Sequence, residues 1–100
     1  MKTNSTFKRL FLMILILFMG YPLIAQEISG TVTDENGNPL PGVNVYVKGT
    51  TIGVATDTEG FYELIVPDNA EVLVFSLVGM KTVEVPIGDK IEIDVEMEDE

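Results

Sequence analysis

The 100-residue chain has no cysteine, no histidine and no tryptophan. Without cysteine there is no disulfide, no thiolate metal site and no thiol nucleophile, so the fold must hold without covalent cross-links. Without histidine, imidazole general bases, Ser-His-Asp triads and His-ligated zinc are all excluded. Cations are scarce as well, six Lys and Arg against sixteen Asp and Glu. Lys2, Lys8 and Arg9 fall in the first ten residues, while every carboxylate lies from Glu27 onward. There only Lys48, Lys81 and Lys90 face them, so the chain beyond residue 25 carries a net charge of −13. A surface of that sign repels nucleic acid and anionic headgroups, which argues against a nucleic-acid binder or a peripheral membrane module.

Long apolar runs are confined to one place. Residues 1–25 show a basic start, an uninterrupted apolar run from Leu10 to Met19, and a short stretch through Gly20 and Pro22 that ends in the small residue Ala25. That is the three-part pattern of a secretory signal peptide, helical and removed after Ala25 so that the mature chain begins at Gln26. A permanent anchor needs roughly 20 apolar residues, and Gly20 and Pro22 interrupt any extension of this run. With no cysteine at the junction, a lipoprotein is excluded.

What remains is a single small domain, which at this size buries only roughly 60–65% of its unfolded surface. No apolar period of 3.6 survives past residue 25. The segment from Gly30 to Val47 sets the grammar instead. Ile28 and Val32 fall on one face of a strand, Val43, Val45 and Val47 repeat the alternation, and Asp34, Asn36-Gly37, Pro39 and Pro41 make a turn between them. The same reading continues downstream and predicts strands over 26–33, 43–48, 52–56, 61–66, 71–78, 81–85 and 91–97. Gly49-Thr50-Thr51, residues 57–60, 67–70 and 86–90 supply the turns. Seven short strands at this spacing predict an all-β, antiparallel sandwich of immunoglobulin-like or transthyretin-like kind.

Two strands are unusual. Residues 72–78 are apolar on both faces apart from Ser76, which predicts a central, covered strand or one that docks against something else. In the last strand Ile91, Ile93, Val95 and Met97 alternate with Glu92, Asp94, Glu96 and Glu98. One face is apolar and the other acidic, and the acids guard a sheet edge against stray pairing.

Candidate chemistry is sparse. Asp57 and Glu59 form a carboxylate pair in sequence, but in a turn leading to Gly60 they read as solvated turn formers rather than glycosidase acids. Asp34 to Asn38 imitates the start of a calcium loop and then fails, with Pro39 at the sixth position and Val45 at the twelfth. A weak calcium site near Asp57 and Glu59 is the residual metal alternative, and no cofactor is implied. Tyr62 shares a face with Leu64 and Val66 and belongs to the core. Phe61 and Tyr46 face away from their strands' apolar neighbours, where they either form an exposed aromatic contact for sugar or cover a sheet edge.

The run Gly-Thr-Val-Thr-Asp-x-x-Gly-x-Pro-Leu-Pro-Gly-Val-x-Val-x-Val-Lys-Gly-Thr at Gly30 to Thr50 resembles the carboxypeptidase-regulatory-like domain family. So do Thr56 to Leu64 and Leu73 to Lys81. The likeness spans nearly all of Gln26 to Met97, and it is to the version at the N-terminus of SusC/RagA-type TonB-dependent outer-membrane receptors. The resemblance implies a signal peptide over 1–25, a β-sandwich over 26–97 and an acidic tail or linker start over 98–100. Its motif positions are Gly30, Asp34, Gly37, Pro39, Leu40, Pro41, Gly42, Gly49, Thr50, Asp57, Gly60 and Gly79, with Ala25 and Gln26 at the cleavage point. It further implies a non-catalytic periplasmic module that aids coupling, partner contact or regulation. Its partners would be the plug and barrel of the same receptor or energy-coupling proteins, and the membrane would be reached only through that receptor. The zinc-binding histidines of carboxypeptidases do not exist here. The alternative is a stand-alone secreted adhesion or carbohydrate-binding sandwich.

Overall fold

Two sheets face one another in this computed structural model, which describes residues 25–100. The strands are β1 (Ala25–Thr33), β2 (Asn44–Val47), β3 (Gly53–Ala55), β4 (Phe61–Pro67), β5 (Val72–Ser76), β6 (Val83–Pro86) and β7 (Val95–Glu96). One sheet has the order β4-β1-β7 and the other β3-β2-β5-β6. The signal peptide expected over 1–25 lies outside the described residues except for Ala25, which opens β1 opposite Pro67.

The alternation expected from the sequence is what the sandwich buries. Ile28, Val32, Tyr62, Leu64 and Val66 point inward from one sheet, and Val43, Val45, Val47, Leu73 and Phe75 from the other, all in one core cluster. Tyr62 and Phe75 meet edge to face across the gap, ring centroids 5.6 Å apart at 74°. Such a contact adds about 0.5–1.5 kcal/mol beyond its buried area.

Every strand pair is antiparallel except β1 with β7, which run parallel from Val32↔Val95 to Thr33↔Glu96. The last strand is also more broken than the alternation over 91–97 predicts. It touches β1 by a bridge at Ser29↔Glu92, leaves the regular ladder, and rejoins it at Val95. The alternation of sides holds from Glu92 onward, with Ile93, Val95 and Met97 buried and Glu92, Asp94 and Glu96 exposed, but Ile91, expected on the apolar face, sits in the bend before the strand and is 65% exposed.

Strand five is shorter than 71–78, because Leu77 to Met80 turn back on themselves through Met80 N–H to Leu77 O and leave Val78 fully in solvent. The part that remains is central, between β2 and β6. Its outward residue Val74 is still only 4% exposed. Tyr46 lies beside it on β2 and Glu84 on β6, and the Lys48 Nζ to Glu84 Oε1 ion pair of 2.6 Å reaches across from the turn after β2 to β6. The apolar outer face is therefore covered from within the chain. Residues 98–100 are likewise tied down: Lys81 N–H donates to Glu98 O, Glu100 N–H to Gly79 O, and Met80 bridges Asp99.

Candidate functional site

Asp34, Gly37, Pro39, Leu40, Pro41, Gly42, Asp57 and Gly60 converge on one end of the sandwich, where they build two loops of the same design. In the first, Asp34 Oδ1 accepts the amides of Asn36 at 2.8 Å and Asn38 at 2.9 Å, while Gly37 N–H donates to Asp34 O. In the second, Asp57 Oδ1 accepts the amides of Glu59 at 2.9 Å and Phe61 at 3.0 Å, while Gly60 N–H donates to Asp57 O. Each aspartate amide also donates across its loop, Asp34 to Asn38 O and Asp57 to Phe61 O. The pattern Asp-x-x-Gly-x is thus used twice, the carboxylate satisfying two amides that the tight turn would otherwise strand. Those hydrogen bonds, from Asn38 first, hold the Asp34 carboxyl below its ordinary value.

The loops are locked together by Gly60 and Thr56. Gly60 has φ +74°, and a Cβ there would lie 2.5 Å from Val32 O and 3.2 Å from Leu40 N, so no other residue fits both the conformation and the space. Thr56 is the one buried polar side chain among the described residues. Its hydroxyl donates to Leu40 O at 2.6 Å and accepts from Val43 N–H at 2.9 Å, stapling the turn of Pro39, Leu40, Pro41 and Gly42 to the end of β3. Thr56 stands in the sequence beside Asp57, and only its strand-end position hints at this role. Gly37, Gly42, Gly49 and Gly79 all have positive φ, and Thr50 closes the β2–β3 hairpin through its hydroxyl to Val47 O.

Gly30 acts elsewhere. It sits mid-strand in β1, where a Cβ would fall 1.9 Å from the main-chain oxygen of Ile93. The bare glycine lets the last segment of chain approach, and two side chains then replace the missing ladder bonds. Tyr62 Oη donates to Ile93 O at 2.6 Å, and Asp94 Oδ1 accepts the Thr31 amide at 2.9 Å and its hydroxyl at 3.2 Å. Burial, with the nearby Asp94 charge, pushes the Tyr62 phenol well above its ordinary value. Gly30, Tyr62, Ile93, Asp94 and Thr31 form a clasp between the first strand and the last. Sequence reasoning assigns Asp94 only to edge protection and Tyr62 only to the core.

The remaining candidates do not come together. Phe61 lies on the outer face of the β4-β1-β7 sheet and Tyr46 on that of the other, so they form no common aromatic platform. Tyr46 instead stands opposite Gly53 beside an open groove of about 520 Å³ that Asn44, Thr50 and Thr51 also line. Among the described residues no three carboxylates are grouped to hold a metal ion.

The model of the CarboxypepD_reg-like domain matches residues 28–100. The chain belongs to the CarboxypepD_reg-like domain family. The chain is 41% identical over 99% of its length to TonB-dependent receptor P39 of Formosa agariphila, of which it covers 10%. It is 35% identical, again over 99% of its length, to TonB-dependent receptor SusC of Bacteroides thetaiotaomicron, and covers 10% of that protein. The chain thus spans about a tenth of the length of these curated relatives. In fold it is similar to a chain of a type II cohesin–X-dockerin complex from Acetivibrio cellulolyticus, with TM-score 0.54, 20% identity, and 72% of this chain and 56% of that one covered. That likeness concerns the sandwich alone.

Proposed function

We propose that this domain is a non-catalytic N-terminal module of a TonB-dependent, SusC/RagA-type outer-membrane nutrient receptor, held on the periplasmic side ahead of the plug. The observation that carries the reading is the likeness to such receptors over 99% of the chain but only 10% of theirs, which is how one module of a larger protein matches. The chemistry agrees with a structural role. The motif aspartates spend their carboxylates on loop amides, and neither histidine nor cysteine is present to activate a nucleophile. In this reading the leader is removed after Ala25 and the module aids coupling, partner contact or regulation, with the plug and barrel or energy-coupling proteins as its partners. Determining the coding sequence past the codon for Glu100 tests it. A TonB box followed by plug and barrel strands is the expected result, whereas a stop codon would favour a stand-alone secreted sandwich.

A further inference from the structure

β4 is the longest strand at a sheet edge, and its outer side is open. Val32 N–H donates to Gly60 O, which fixes the alternation so that Tyr62, Leu64 and Val66 bond to β1 while Phe61, Glu63 and Ile65 turn their main-chain groups away. Asp57 uses those of Phe61. Among the described residues the N–H and C=O of Glu63 and Ile65 have no partner, a four-group template for an added strand. Pro67, with no N–H, closes the template at its far end.

The side chains on that face select what can be added. Ile65 is 64% exposed and Phe61 37%, apolar contacts at the rim of the open edge. On the same outward face Glu63 lies between them and Glu27 stands opposite Ile65 on β1, while Glu92, Asp94 and Glu96 lie farther off on the other side of β1, and no lysine lies in the three strands of this sheet. Both ion pairs of the described residues are elsewhere, at Lys48–Glu84 on the other sheet and at Lys81–Glu98. A second copy of the chain is disfavoured by charge, because pairing two β4 edges sets one acidic face against another. We propose that the β4 edge is a docking site for a basic, extended polypeptide segment, which adds as a fourth strand with Lys or Arg beside Glu63 and an apolar side chain against Ile65. Main-chain pairing supplies affinity, and the acidic face chooses among extended segments by sign. The inference stands on the edge geometry and does not require the receptor reading.

Titrating the ¹⁵N-labelled chain with alternating Lys-Val and Glu-Val hexapeptides tests it by NMR. The lysine peptide is expected to shift the Glu63 and Ile65 amides, slow their hydrogen exchange, and bind less tightly as salt is raised. The glutamate peptide should bind roughly tenfold or more weakly, since like charges side by side are penalised. Glu63→Gln should narrow the preference and Glu63→Lys should narrow it further, since Glu27 opposite Ile65 stays acidic. Equal affinity for both peptides, shifts centred on β3 or β6, or self-association through β4 would each overturn the proposal. None of these outcomes depends on the sequence beyond Glu100, so failure here leaves the receptor reading to its own test.

Discussion

The phenol of Tyr62 donates to the main-chain oxygen of Ile93 at 2.6 Å, joining two residues 31 apart across the sheet. Tyr62 belongs to β4, on the far side of β1 from the segment it holds, so its bond passes over Gly30 and reaches the point where the last strand leaves the ladder. Removing the hydroxyl leaves a buried carbonyl unpaired. Tyr62→Phe is therefore expected to cost about 1–2 kcal/mol, a fall of about 4–8 °C in Tm per kcal/mol for a domain of this size. The same phenol has a raised pKa, so its contribution is complete below the ordinary value of 10.0 and is lost as pH rises above it. Chemical denaturation of both proteins between neutral and alkaline pH should show a smaller alkaline loss in the variant.

Gly30→Ala should be far more damaging than its one added carbon suggests. The new Cβ would stand 1.9 Å from Ile93 O, a main-chain atom that moves only if the last segment moves. We expect a loss of about 3 kcal/mol or more, with amide exchange rising first at Ile93 and Val95. A melt within a degree of wild type would mean that the clasp is not as tight as described.

Neighbouring substitutions in the last strand should separate packing from clasping. Ile93→Asp buries an unpaired charge in the core and should prevent stable folding. The alternation alone predicts that Asp94→Ile is mild, but the structure predicts a loss of about 1–2 kcal/mol, because the Thr31 amide loses its acceptor. Asp94→Asn keeps an acceptor and should recover part of that loss. Thermal melts of the three variants give the ranking.

The strands and loops are legible in the sequence because their causes are local. Val43, Val45 and Val47 alternate into the core, and Asp34 and Asp57 act on amides two and four residues away. The clasp is not legible, since Thr31 and Asp94 are 63 residues apart and their pairing depends on sheet order. Nor does alternation reveal that β7 runs parallel to β1. The apolar outer side of β5 leaves two readings open, and the choice rests on Lys48, in the turn after β2, meeting Glu84 of β6. Val78 reads as strand by its β-branched type, but the positive φ of Gly79 turns the chain there.

Acid should weaken the first loop in a defined direction. The Asp34 carboxyl has a lowered pKa, so its contribution is present above the ordinary value of 3.8 and is lost as pH falls from there through the folded value. Asp34→Asn should flatten that part of the stability profile. The observable is the denaturation midpoint followed from neutral pH to about pH 2, below the range where ordinary aspartates titrate. An unchanged acid slope in the variant would show that the carboxylate is not held by the loop amides.

We propose that the domain aids the coupling, partner contact or regulation of its receptor and is dispensable for assembly of the barrel. The most direct measurement is growth on the transported nutrient of a strain whose full-length receptor lacks residues 26–100, alongside heat-modifiability of the receptor in isolated outer membranes. Impaired or misregulated growth with a normally assembled barrel is the expected result. Unchanged growth and regulation would contradict it, and loss of the assembled barrel would contradict it in favour of a role in assembly.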